Sequence, residues 1–394
     1  MTAERRVGNR QPAPRPAPPA RPPPPARMVR PTARGHAHPS RIMGLQSSPG
    51  APLVHSVGQH PHHRIHTVNA GPGAMSSTAQ SSAKRLVSLP HFAIPLGFAG
   101  LGGAWAVAAV TLGAPEWIDD TFYSIAAVLW ILFSTVYIGE RLRNTREFRD
   151  DRESAVSGAG AAFLPVVGIL LLVHFGQYMP LQAARTVCWI LVAALATVAA
   201  QLFAHWLTGQ LTFRQLHPGY FLPLVAGPFI ASIGLSSVHA IPAARTALGV
   251  GIFFWVIIGG VITARLITAG PLPVPVIPSL SVLLAPPATG GIATFFAYPG
   301  PVGPLQLAFF GVFIMMVLIQ IALFRAYINL PFNLNFWNFT FPVSASANYG
   351  LHWLGEATFD GRRQLAWAIV CLATVIVLAI AAATVRSLLP DHRT

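Results

Sequence analysis

The sequence predicts an all-α integral membrane protein: ten transmembrane helices arranged as five tandem helical hairpins, with the odd-numbered helices forming a kinked inner ring around a pore. Three observations lead there. With 53 % hydrophobic and only 10 % charged residues over 394 positions, the chain carries more apolar surface than one soluble core can hide. Apolar stretches of roughly 20 residues, the length that crosses a bilayer as a helix, recur ten times after Ser88. Prolines fall inside every odd stretch and outside the interior of every even one.

Residues 1–85 stand apart. They are rich in Pro, Arg, Ser, Gly and His, and carry twelve Lys/Arg against the single acid Glu4. Most of the formal charge of +14 therefore sits in a tail too poor in apolar residues to offset the ordering of its backbone, and disorder is expected. Charge confined to such a tail points to anionic lipid head groups, not to a nucleic-acid-binding fold. The tail lacks the apolar run of a signal peptide, and Met75 shortly before the first span is an alternative start. His55, His60, His62, His63 and His66 cluster there with nothing to fix a ligand geometry, so no metal site is expected. Cys188 and Cys371 lie in separate apolar runs without a second thiol or His at metal spacing, which leaves no disulfide or zinc framework and implies no cofactor.

The transport domain is read as residues 86–390, followed by a short tail at 391–394. Its spans fall at 90–113, 121–139, 156–178, 183–208, 217–239, 243–268, 276–298, 304–329, 337–355 and 364–389. An even number places both termini on one side. That side holds Arg141, Arg143, Arg146, Arg149, Arg152, Arg214, Arg265, Arg325 and Arg386, whereas the other holds only Arg185, Arg245, Arg362 and Arg363. By the positive-inside rule both termini are cytoplasmic, in a multi-pass protein of the cell membrane.

The odd spans contain Pro95, Pro165, Pro223 with Pro228, Pro286 with Pro287, and Pro342. In the even spans Pro180, Pro242 and Pro304 stand at the starts, 62 residues apart, a period that fits one helical hairpin. An interior proline leaves the carbonyl four residues earlier without its helical donor, which at membrane depth is tolerable only against protein or a water-lined cavity. The kinked odd helices are therefore expected to line the pore. The segment Phe336-Trp337-Asn338-Phe339-Thr340-Phe341-Pro342, aromatics followed by a helix-bending proline and then small residues, suits a narrow conduit that a ring can plug.

That segment, with Leu284-Ala285-Pro286-Pro287-Ala288, resembles the tellurite-resistance/C4-dicarboxylate transporter family, which includes the plant guard-cell slow anion channels. The resemblance covers about residues 88–390. It implies a homotrimer with one anion path per subunit, occluded by a phenylalanine in the matching segment; Phe341 takes that place, with Phe339 two positions earlier as the alternative. The long basic tail and Asn348-Tyr349-Gly350 depart from the family's pattern.

All twelve acids lie in tails, loops or span ends, and a proton-coupled carrier commonly places a carboxylate or histidine at membrane depth. Passive anion conduction, by a channel or uniporter, is the expectation. A proton-coupled C4-dicarboxylate or sulfite transporter is the alternative, with His174 and His352 as relay candidates. The transported partners are small inorganic or organic anions; neither an acid ring nor a basic ring is evident in the pore. Arg265 and Arg325 either concentrate anions at the cytoplasmic mouth or snorkel at helix ends. Gly97, Gly100, Gly102, Gly103, Gly290 and Gly291 are read as sites of close helix contact. Phosphate-binding, paired-carboxylate and nucleophile motifs are absent, and the chain is not an enzyme.

Overall fold

The structure is a computed structural model that describes residues 89–143, 160–209 and 212–389. The basic tail, its histidine cluster, Arg146, Arg149, Arg152 and residues 391–394 lie outside the described residues.

Ten α-helices follow one another among the described residues: α1 (Ala93–Leu112), α2 (Trp117–Arg143), α3 (Phe163–Phe175), α4 (Leu181–Leu207), α5 (Gly227–Ser237), α6 (Ile241–Thr268), α7 (Ala285–Ala297), α8 (Pro304–Tyr327), α9 (Trp337–Glu356) and α10 (Arg362–Leu388). The odd helices form a closed ring, each packed on the next, with α9 returning to α1 in the most extensive helix pairing of the fold. Each odd helix also packs against the even helix that follows it. Burial separates the two sets. The spans containing α1, α5 and α7 bury 67, 89 and 72 % of their most apolar window, whereas those of α2, α4, α6, α8 and α10 bury 11 to 22 %. Even helices therefore face lipid with side chains such as Val256, Leu318 and Val375, while odd helices face protein.

Among the described residues, eight spans are long and apolar enough to cross a membrane on length and composition alone, and α3 and α9 complete the ten helices expected. The segment Phe163–Tyr178 is too short. α9 carries Asn338, Thr340, Ser344, Ser346, Asn348 and His352, a polar load that a helix enclosed by protein tolerates better than one in lipid.

The prolines sit differently from the interior kinks expected: among the described residues, only Pro342 lies well inside an α-helix. Pro95 and Pro165 are the third residues of α1 and α3, Pro228 the second of α5, and Pro286 and Pro287 the second and third of α7. In those positions a missing N–H costs little. Non-α backbone precedes three of these helices: a 3₁₀ turn at Leu89–Phe92, a π turn at Leu222–Ala226 that holds Pro223, and an eleven-residue 3₁₀ stretch at Val274–Leu284. The chain thus switches into α geometry at the proline, because a residue without an N–H cannot extend the i to i−4 ladder backwards. In the π turn the Gly227 N–H donates instead to the Leu222 carbonyl, five residues earlier.

Pro342 denies the Asn338 carbonyl its α-helical donor. The Ser281 hydroxyl, buried in the neighbouring 3₁₀ stretch, lies 2.9 Å from that oxygen and 2.7 Å from the Pro278 carbonyl. Other ties join inner to outer helices: Trp105 and Trp337 donate their indole N–H to Thr374 and Thr384 of α10, and Trp130 donates to the Leu164 carbonyl.

At the C-terminal ends of the odd helices, arginines close three joints. Arg185 at the start of α4 donates to Val238 O beyond α5, Arg245 of α6 to Ala297 O of α7, and Arg363 of α10 to Leu112 O of α1. Each cation meets carbonyls at the negative end of a helix dipole.

The glycines behave as expected. A Cβ on Gly102 would stand 2.7 Å from the Tyr123 ring, and one on Gly290 or Gly291 would overlap Phe309 or Tyr349. Gly311 on α8 faces open space. Gly291→Ala should lower stability by about 1–3 kcal/mol through overpacking, read as a fall in the detergent-solution melting temperature, whereas Gly311→Ala should leave that temperature within error or raise it.

Candidate functional site

A cavity of about 330 Å³ opens inside the ring, and every odd helix contributes to its wall: Val107 from α1, Val173 from α3, Ile233 from α5, Ile292 from α7 and Ala345 from α9. Tyr123 of α2 is the one lining residue from an even helix. The wall is largely apolar, with Thr111, Tyr123, Thr289, Asn348 and His352 as its polar side chains, and includes no Asp, Glu, Lys or Arg among the described residues. Asn348 Oδ1 and His352 Nε2 are buried without a hydrogen-bond partner. The His352 ring stacks on Phe295 at 5.2 Å between centroids.

Phe341 lines the end nearest the helix N-termini. No lining residue precedes it in α9, nor Ala99, Leu170, Ile230 and Thr289 in the other four odd helices. Its ring lies against Gly100, where an added Cβ would stand 3.0 Å from Phe341 Cδ2, so a residue with no side chain makes room for the aromatic. At the other end, Val110, Thr111 and His352 are shared with a second, polar pocket of about 450 Å³ that includes Glu356, Arg362 and Arg363. The cavity therefore leads to a mouth at the C-terminal ends of the odd helices.

The predicted residues separate on this geometry. Phe341 is on the cavity; Phe339 is half-buried and points elsewhere, packing on Tyr327 at 4.9 Å and Phe336 at 5.8 Å. None of Pro95, Pro165, Pro223, Pro228, Pro286, Pro287 and Pro342 lines it; Pro223 and Pro228 instead back an apolar groove between α4 and α6. Arg265 is buried and donates to the Gly270 and Arg214 carbonyls, each at 3.2 Å, a loop-holding role, while Arg325 is exposed on α8. His352 lines the cavity, but His174 stands behind Tyr123, stacked on its ring at 4.1 Å. Cys188 is buried and Cys371 exposed.

Tyr123 was missed from sequence, as were Ser281 and the carboxylates Asp119 and Asp120, which α2 includes in its first turn. One signal was present. Asp119 and Asp120 precede Tyr123 by four and three residues, the spacing of one helix face, on a span otherwise dominated by apolar residues.

Comparison with known proteins decides the family. The profile described as the SLAC1 voltage-dependent anion channel matches residues 87–385. The chain belongs to the SLAC1 family. It is similar to the tellurite resistance protein TehA homolog of Haemophilus influenzae, 24 % identical over 259 residues that cover 66 % of this chain and 78 % of the relative. It is also similar to the S-type anion channel SLAH2 of Arabidopsis thaliana, 23 % identical over 274 residues covering 68 % of this chain and 51 % of the relative, so the match spans about half of that plant protein. As a SLAC1-family member the chain is a multi-pass membrane protein of an anion-transporting class and not an enzyme.

The bond to the Asn338 carbonyl supports the helix that carries Phe341. The Ser281 hydroxyl shares its one proton between the Pro278 and Asn338 carbonyls, and its loss in Ser281→Ala should cost about 1–3 kcal/mol, seen as a lower melting temperature; Ser281→Thr, which keeps the hydroxyl, should recover most of the loss.

Proposed function

We propose that the chain is a passive anion conduit, a channel or uniporter, held shut by the Phe341 ring. One observation carries the reading: a cavity walled by all five odd helices, free of ionisable carboxylates, ends against an aromatic ring seated on a glycine. An apolar constriction excludes water and the ions that travel with it until the ring moves. The break in the backbone ladder at Pro342, next to the ring, lowers the cost of such a movement.

Anion preference in this reading comes from what the path lacks and from dipoles. Among the described residues, no carboxylate faces the cavity to repel an anion. α5 and α7 begin nine and eleven residues into their spans, continuing π and 3₁₀ turns whose carbonyls already accept from the Gly227 and Ala285 N–H groups, so in this reading the oriented amides of these inner spans, not free N-terminal N–H groups, supply the dipole. Arg362 and Arg363 at the mouth add positive charge where anions enter or leave. The conduit is complete within one chain, consistent with one path per subunit in a homotrimer. Both termini are assigned to the cytoplasm of a cell-membrane protein on the arginine distribution, which places the polar mouth on the outer side. The transport unit is residues 86–390, with the basic tail held near anionic lipid.

His352 favours the second reading, a proton-coupled carrier of C4-dicarboxylate or sulfite, because its Nε2 is unpartnered on the cavity wall. Reconstituted liposomes distinguish the two. Under the conduit reading, Phe341→Ala raises chloride or nitrate flux severalfold at equal protein content, Phe339→Ala changes it less, and an imposed pH gradient drives no uptake. Flux in Phe341→Ala no greater than in the parent would remove the gate from this residue, and accumulation that requires a pH gradient and is lost in His352→Ala would establish the carrier instead.

A further inference from the structure

The joint between α2 and α3 is closed not by an arginine but by Asp119 and Asp120 of α2, which meet His174 in the last turn of α3. His174 Nε2 lies 2.9 Å from Asp120 Oδ1, and Nδ1 lies 3.6 Å from Asp119 Oδ2. Among the described residues this is the one set of three such ligand groups, with one donor atom from each lying within 4.8 Å of the others. We propose that Asp119, Asp120 and His174 form a binding site for a divalent transition-metal ion, beside the wall of the cavity.

Three features carry the assignment. The first is an orphan. Asp119 is only 7 % exposed and its Oδ1 has no hydrogen-bond partner. The His174 ring makes its hydrogen bond to Asp120 Oδ1, while its other nitrogen stands 3.6 Å from Asp119 Oδ2, so the buried Asp119 Oδ1 is left unserved, a costly arrangement for a carboxylate. A dication with its remaining water ligands serves both Asp119 oxygens.

The second feature is charge. Two carboxylates and an imidazolium sum to one negative charge, with Glu116 one turn away adding to it, whereas two carboxylates, a neutral imidazole and a dication sum to zero in a largely buried setting. The third is chemistry and access. One imidazole nitrogen and two carboxylate oxygens suit zinc, cobalt or manganese. Bonds of about 2.0–2.2 Å put ligand atoms of a tetrahedral site roughly 3.3–3.5 Å apart; with one imidazole nitrogen used, the three donor atoms here lie within 4.8 Å of one another, so rotation of the two aspartate side chains is what closes the set. The Asp120 side chain is 49 % exposed and gives the ion a way in from water. The His174 ring is held in place by the Tyr123 stack, 11° from parallel, as a ligand's orientation must be.

The test is a cobalt titration of the full-length chain, purified without a polyhistidine tag and stripped with chelator. The tail histidines His36, His38, His55, His60, His62, His63 and His66 are replaced by Gln so that they do not compete. The proposal expects one Co²⁺ per chain with visible d–d absorption, displaced by Zn²⁺, and bound at least tenfold more weakly after either His174→Gln or Asp120→Asn; Glu356→Gln at the mouth should leave it unchanged. If His174→Gln is not monodisperse, Asp120→Asn, at a half-exposed position, decides the matter alone. Absence of stoichiometric Co²⁺, or affinity unchanged in Asp120→Asn, overturns the site and leaves a histidine bridged between two carboxylates as the whole of the joint.

Discussion

The hydrogen bond from Ser281 to the Asn338 carbonyl stands for the constraint on which this structure depends. A backbone carbonyl at membrane depth has no water to turn to, and leaving it unpaired costs several kcal/mol. Pro342 creates such a carbonyl beside a ring that lines the cavity. A serine from the adjacent inner span meets it, so the break in α9 is tolerable only because the ring of odd helices is closed. The same constraint explains the layering. Helices that switch between 3₁₀, π and α geometry sit inside, and uninterrupted α-helices of 24 to 28 residues, α2, α4, α6, α8 and α10, face the lipid.

Packing and function meet along α1 and α9. Gly100 and Gly103 of α1 approach Phe341, Ser344 and Asn348 of α9 closely enough that an added methyl would meet those side chains at 3.0 to 3.2 Å. The absence of side chains on α1 is thus what lets the Phe341 ring pack on Gly100 without splitting the helix pair. Farther along, the wall carries hydroxyls, an amide and an imidazole but no formal charge among the described residues. Charge appears only at the mouth, where Arg363 also ties α10 to the end of α1.

Much of the architecture was legible in the sequence, because lipid imposes a simple rule on every span. Hydropathy located ten helices to within several residues, and the alternation of proline marked which of them are enclosed. What proline does to the backbone was less legible: Pro286 and Pro287 read as interior kinks, but a 3₁₀ stretch ahead of them turns them into first-turn residues of α7. The polar load of α9 was visible as residues but not as a consequence of enclosure. Family resemblance singled out Phe341 with Phe339 as the alternative, and only the facing of α9 places the first on the cavity and the second off it. Asp120 and His174, 54 residues apart, could not be joined from sequence, since nothing local says that the first turn of α2 meets the last turn of α3. Ser281 escaped for the same reason: a lone serine becomes informative only when the carbonyl it serves is seen.

The proposed function requires that the space enclosed by the odd helices be a water-accessible path and not a packing void. Single cysteines at Val107, Ile233 and Ala345, placed in a chain with Cys188→Ala and Cys371→Ala, measure it through reaction with a membrane-impermeant anionic thiol reagent in liposomes. Cysteines at Val256 and Leu318 on the lipid face serve as the comparison. The account predicts that the three cavity positions react, that they are protected by excess permeant anion, and that the lipid-facing pair does not react. Cavity positions as inert as Val256→Cys, under conditions where Glu356→Cys at the mouth is labelled, would contradict it.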